Sequence, residues 1–265
     1  MKILREGKNP EDFYRHVAQA RRRVLLLDYD GTLAPFRAER DRALPYPGVR
    51  EALQKIGHDR RTRLVIVSGR AVDDLLPLLG LENPPEVWGS HGLEHRKPDG
   101  TATIAPMDPK ALRALADADA WVQAEGLQAQ AEEKPGCLAL HWRGLPAAKA
   151  QELHRHALHA LEPLALGTGL DLKAFDGGLE LRVNARSKAD AVHAILAQEP
   201  AGVPVAYLGD DRTDEDAFLE LGSRGLRVLV RPQLRSTEAD VWLTPPGELL
   251  EFLAQWLPTE KVATP

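Results

Sequence analysis

Asp28 and Asp30 stand two residues apart, where the apolar run Val24–Leu27 ends and Gly31 begins. Asp and Gly are ordinary turn residues, yet two crowded carboxylates repel each other. A cation or a raised pKa relieves that repulsion, and an enzyme can use either. If the backbone stays extended through Tyr29, the period of two sends both side chains to one side. A carboxylate can attack phosphorus to give an aspartyl phosphate, and a hard divalent ion such as Mg²⁺ would screen the approach of the two anions. Asp28 is the expected nucleophile. Asp30 is the expected general acid and base, protonating the departing oxygen and later deprotonating a water. Gly31 lets the chain turn close to a phosphate, and Thr32 offers it a hydroxyl and an amide.

Three further clusters have matching chemistry. Ser68, Gly69 and Arg70 close the apolar run Leu64–Val67. Ser68 can donate to a phosphoryl oxygen or cap a helix starting near Arg70. Ser187 and Asp190 fit a capping box, which sets Lys188 at a helix N-terminus, where a cation opposes the helix dipole unless an anion lies nearby. The third cluster, GDDRTDED, follows Val203–Leu208. Thr213 and Asp216 read there as a second capping box, which leaves Asp210 and Asp211 ahead of the helix. Asp210 is the expected third metal ligand, with Asp211 beside it and Asp214 one turn on to hold metal-bound water or Lys188.

Apolar runs suited to buried strands alternate with segments of helical period, the pattern of an α/β protein with a Rossmann-like parallel sheet between helices. Val24–Leu27, Leu64–Val67, Val203–Leu208 and Leu226–Val230 read as its strands. Ligands bind such a sheet outside the carboxyl ends of the strands, so the polar clusters can converge. Asn9 and Pro10 read as the cap and first residue of a leading helix. The rhythm changes at GLEHRKPDGTATIAP, a hairpin around Asp99 and Gly100. From there two helices and several short strands suggest an inserted α+β module at residues 96–183, with residues 1–95 and 184–265 forming the core.

The 265 residues carry 34 Lys and Arg against 39 Asp and Glu, net −5, which excludes the basic face a nucleic-acid partner needs. The single cysteine, Cys137, cannot form an internal disulfide and reads as a small buried residue, and a cytoplasmic location is expected. No apolar run approaches the ~18 residues of a membrane span. His154, His156 and His159 share a helix without the i, i+4 spacing of a zinc pair.

DYDGT, Ser68, Lys188 and GDDRTDED together resemble the four motifs of the haloacid dehalogenase superfamily. LLLDYDGTLAPF, IVSGR, GSHGLEHR, EKPGCLALHWR, GGLELRV and GDDRTDEDAF resemble more closely the trehalose-6-phosphate phosphatases, from residue 24 to about 220. That resemblance implies Mg²⁺ held by Asp28, the Asp30 main-chain carbonyl and Asp210, and hydrolysis of trehalose 6-phosphate beneath a mobile cap. It places sugar and phosphate recognition on Arg70, His91, Gly92, Glu94, Glu133, Lys134, His141, Arg143, Glu180 and Arg182. It also implies functional coupling to a trehalose-phosphate synthase, in a chain read as a monomer. Another sugar phosphate, such as sucrose 6-phosphate, and a non-catalytic regulatory module stay open as alternatives.

Overall fold

The computed structural model describes residues 1–257 except Ala38, Asp176 and Ala185, with the backbone alone of Arg40. It divides into two compact units, Met1–Thr103 with Ser187–Pro265, and Ile104–Arg186.

The first unit begins with β1 (Lys2–Ile3), α1 (Pro10–Gln19), β2 (Arg23–Leu27), α2 (Val49–His58) and β3 (Thr62–Val67). It continues through α3 (Val72–Leu79), β4 (Glu86–Gly89), β5 (Glu94–Arg96) and β6 (Ala102–Ile104). The second unit holds α4 (Pro109–Ala124), β7 (Ala131–Lys134), β8 (Cys137–His141), α5 (Ala147–Ala165), β9 (Leu170–Phe175) and β10 (Gly178–Val183). The chain then returns to the first unit with α6 (Lys188–Leu196), β11 (Val205–Gly209), α7 (Arg212–Leu221), β12 (Leu226–Val230), β13 (Val241–Leu243) and α8 (Gly247–Ala254).

The strands of the first unit lie in the order β1-β13-β12-β11-β2-β3-β4-β5-β6. From β13 to β4 the pairing is parallel throughout. Every residue of β2 is buried, and period two divides the strand between two cores. Leu25 and Leu27 pack with residues of α1, α2, α3 and α8, while Val24 and Leu26 pack with α6 and α7. From β2 the chain steps outward to β3 and β4, and from β11 outward the other way to β12 and β13. The strand order therefore reverses between β2 and β11, the place in an open parallel sheet where a crevice forms at the carboxyl ends.

The hairpin around Asp99 and Gly100 extends this sheet, because β5 pairs with β4 through Val87–Arg96, Trp88–His95 and Gly89–Glu94. The change of rhythm there marks a sheet edge, and the second unit begins only after it. In that unit the order is β7-β8-β10-β9. One sheet face is apolar, with Leu138, Leu140, Leu179 and Leu181 packed with Ala111, Ala114, Ala118 and Val122 of α4 and Ala157 and Leu161 of α5. No helix among the described residues is long and apolar enough to cross a membrane.

Candidate active site

At the end of β2, the Asp28 amide donates to the Leu208 carbonyl of β11 at 2.8 Å, which carries the ladder one residue beyond the strand. Asp28 is 3% exposed. Its Oδ1 accepts from Lys188 Nζ at 2.6 Å and its Oδ2 from the Thr32 hydroxyl at 3.1 Å. Tyr29 turns into the core, where its hydroxyl donates to the Ala43 carbonyl at 2.7 Å. Asp30 meets a different cation: Arg70 Nε and Nη2 donate to its two oxygens at 2.7 and 2.6 Å. The two aspartates thus do not share one counter-charge as period two suggests. The carboxylates grouped with Asp28 are instead Asp210 and Asp214.

These come from the turn after β11 and from α7. Asp214 is fully buried, and its Oδ1 accepts from Lys188 Nζ and the Tyr207 hydroxyl, each at 2.7 Å. Its Oδ2 accepts the amides of Asp210 and Asp211, each at 3.0 Å. Because α7 starts at Arg212, the helix cap is Asp211 and the residue reaching back is Asp214. The expected Thr213–Asp216 box is corrected accordingly: only Asp210 and Asp211 separate the end of β11 at Gly209 from α7, so the cap falls two residues sooner.

One oxygen each from Asp28, Asp210 and Asp214 lies within 4.8 Å of the others. With four donors on its two oxygens, Asp214 is committed to orienting its neighbours. Asp210 is the opposite case: the residue is 4% exposed, and no hydrogen-bond donor reaches its carboxylate among the described residues. A carboxylate without a hydrogen-bond donor, on a buried residue beside a second carboxylate, suits a hard divalent cation. A side chain at Gly31, which has φ +81°, would overlap the Asp210 carboxylate. Gly31→Ala is expected to cost about 1–3 kcal/mol from the backbone alone and to weaken ion binding. Urea unfolding and ion titration of the variant check both effects.

Ser68, at the end of β3, is buried, and its Oγ accepts the Arg70 amide at 3.1 Å. It does not cap the following helix, which starts at Val72 and whose first amide donates to Glu94 Oε2 at 3.2 Å. The Ser68 hydroxyl donates no hydrogen bond among the described residues. Ser90, at φ 47°, donates to Glu94 Oε2 at 2.6 Å, and His91, at φ 57°, shares its left-handed backbone. Two consecutive non-glycine residues of this kind mark a strained loop. A Cβ on Gly69 would lie 2.6 Å from the His91 ring, and one on Gly92 would lie 2.7 Å from the Ser187 carbonyl just before Lys188. Glu94 therefore braces this loop, and Gly92 lets it pack against the start of α6.

In the second unit, the sheet face opposite the helices is polar. Register places Lys134, Cys137 and Arg182 in one row, Glu132, Ala139 and Glu180 in the next, and His141 with Gly178 in a third. Glu132 Oε2 lies 2.9 Å from His141 Nε2, and Lys134 Nζ lies 3.6 Å from Glu132 and 3.7 Å from Glu180. Arg182 Nη1 is 3.7 Å from Glu180 Oε2, and the Cys137 thiol donates to Glu180 Oε1 at 3.0 Å. Burial pushes the Cys137 thiol up, so it stays protonated. The Arg143 side chain lies where a Cβ on Gly177 would be. Glu133 is not part of this cluster. It alternates to the helix side, where a hydrogen bond with Asp119 raises its pKa. The glutamate on the polar face is Glu132, and period two along β7 is the signal that distinguishes them: only Glu132 can share a face with Lys134.

A match to the trehalose-phosphatase family covers residues 26–240. The chain is 30% identical over 279 residues to the probable trehalose-phosphate phosphatase 9 of Oryza sativa, covering 89% of this chain and 70% of that one. The trehalose-phosphate phosphatase of Mycobacterium bovis is 32% identical over 88% of this chain, which spans only 61% of that relative's length. The chain belongs to the trehalose-phosphatase family. In fold it is similar to the C-terminal domain of the C. albicans trehalose-6-phosphate phosphatase, with TM-score 0.76 at 21% identity over 97% of this chain and 99% of that one. The same fold recurs in haloacid dehalogenase-like hydrolases.

In this trehalose-phosphatase chain the charge balance of the site is set by burial. Burial, then Asp28 and Asp214, push the Asp210 carboxyl from 3.8 to about 10. Burial raises Asp28 as well, to about 7, against the pull of Lys188. Burial also works against the charge on Lys188, but Asp214 and Asp28 outweigh it and raise its pKa. Asp210 in the folded, ion-free protein keeps a proton that the unfolded chain releases near 3.8. Its contribution to stability therefore declines as pH rises from the ordinary carboxylate range toward 10. With a chelator present, Asp210→Asn is expected to raise the thermal midpoint at alkaline pH and flatten its pH slope. Identical slopes for variant and wild type would contradict this assignment.

Proposed function

We propose that this chain hydrolyses trehalose 6-phosphate to trehalose and phosphate through an aspartyl phosphate on Asp28. The observation that carries the reading is Lys188, held between Asp28 and Asp214 beside the donor-less Asp210, where the strand order reverses. Asp28, the Asp30 main-chain carbonyl and Asp210 would hold a Mg²⁺ ion, which screens negative charge between the nucleophile and the phosphoryl group.

An Asp28 oxygen attacks phosphorus, and the bond from phosphorus to the sugar oxygen breaks. Asp30 gives its proton to that oxygen, then takes one from a water that attacks the aspartyl phosphate. The bond from phosphorus to Asp28 breaks, and phosphate leaves. Arg70 holds Asp30 in this structure, so delivery of the proton requires Asp30 to exchange that partner. Lys188, the Ser68 hydroxyl and Thr32 meet phosphoryl oxygens as charge spreads over them. The polar sheet face of the second unit, with Glu132, Lys134, His141, Glu180 and Arg182, suits a disaccharide, since carboxylates accept from hydroxyls and the cations meet ring or phosphate oxygens.

Phosphate release from trehalose 6-phosphate, with and without Mg²⁺ and against a panel of sugar phosphates, tests this. Mg²⁺-dependent release with preference for trehalose 6-phosphate is expected. Preference for sucrose 6-phosphate would leave the chemistry and change the substrate. Failure with every sugar phosphate would leave a regulatory module.

A further inference from the structure

We propose that Arg235, with Arg231, is a positioning residue for Asp210, acting on the ion-binding carboxylate through its peptide backbone. The inference rests on Asp210 being a metal ligand. Both arginines lie in the loop after β12, the strand beside β11. Arg235 Nη2 donates to the Asp210 carbonyl at 3.1 Å and to the Asp211 carbonyl at 2.7 Å, and its Nε reaches the Asp210 carbonyl at 3.3 Å. Arg231 Nη1 donates to the same carbonyl at 3.3 Å. Two guanidinium groups thus converge on one peptide oxygen.

The need for such a clamp follows from the other bonds of Asp210. Its carboxylate has no donor among the described residues, so no side-chain hydrogen bond sets its direction. Its orientation depends on the backbone between β11 and α7. The amides of that turn are tied to Asp214 Oδ2, and its carbonyls are tied to Arg235 and Arg231. Arg235 is braced in turn by an ion pair with Glu215 on α7, whose other oxygen accepts the Glu238 amide at 2.7 Å. Arg231 is fixed by its own backbone: its amide donates to the Leu243 carbonyl at 3.0 Å, and its carbonyl accepts from Trp242 Nε1 at 2.8 Å. With both ends of the turn held, the carboxylate reaches the cation without reorganising, and partners of this kind typically change metal affinity about 10- to 100-fold.

Titration calorimetry of Mn²⁺ onto the metal-free protein tests the clamp, with the thermal midpoint in chelator measured in parallel. Arg235→Ala is expected to bind Mn²⁺ about tenfold more weakly, with the concentration of Mg²⁺ that half-activates phosphate release raised to match. Arg235→Lys keeps the charge and loses the fork, so it is expected to be weakened at least about threefold, and it decides the matter if the alanine variant does not fold. A lower midpoint with wild-type Mn²⁺ affinity, in either folded variant, would show a structural role only and overturn the proposal. If the wild-type protein itself binds no Mn²⁺, the reading of Asp210 as a ligand fails and the clamp falls with it.

Discussion

Asp28→Asn is expected to lower phosphate release by about 10⁴-fold or more while leaving the fold in place. The amide matches the carboxylate in size, its one oxygen can still accept from Lys188 and its NH₂ can donate to the Thr32 hydroxyl oxygen, but it cannot form the bond to phosphorus. The substitution is mild for the folded state because burial already disfavours the charge on Asp28. Lys188 also keeps its second carboxylate, Asp214, at 2.7 Å. Turnover at saturating Mg²⁺, together with a urea unfolding curve, separates the two effects. Substantial turnover in the folded variant would remove Asp28 from the role of nucleophile.

Lys188→Met is expected to lose activity and also about 3–5 kcal/mol of stability, the usual result of removing one partner from a buried ion pair. Lys188 is 4% exposed and stands between Asp28 and Asp214, each almost wholly buried. Without it, two carboxylates lie together in a dry site with a third, Asp210, nearby. The Asp28 pKa, already raised by burial, would rise further without its cation, so folding would take up a proton and the loss would grow as pH rises above the ordinary carboxylate range. The double variant Lys188→Met, Asp28→Asn should recover part of the stability and none of the turnover. Chemical unfolding of the single and double variants in chelator measures this; wild-type stability for Lys188→Met would contradict the buried triad.

The residues brought together at β2, β3, α6 and β11 are legible in the sequence for a physical reason. A parallel strand covered on both faces reads as an unbroken apolar run, so its end, and the polar residues placed there, stand out. Lys188 is legible because a lysine at a capped helix start needs an anion. What sequence reading misses is decided by one- or two-residue shifts. Glu132 and Glu133 are adjacent and chemically identical, and only the register of β7 sends one to the polar face. The start of α7 at Arg212 makes Asp214 the reciprocal cap, a distinction below the precision of helix boundaries read from sequence. Arg231 and Arg235 lie in no motif, because they act on main-chain carbonyls that any sequence would present.

The stereochemical course at phosphorus tests the covalent mechanism most directly. With a substrate whose phosphoryl group is made chiral by oxygen isotopes and released into isotopically distinct water, transfer to Asp28 and then to water comprises two in-line displacements. Retention of configuration is the expected result. Inversion would mean that water attacks the substrate directly and that Asp28 never carries the phosphoryl group.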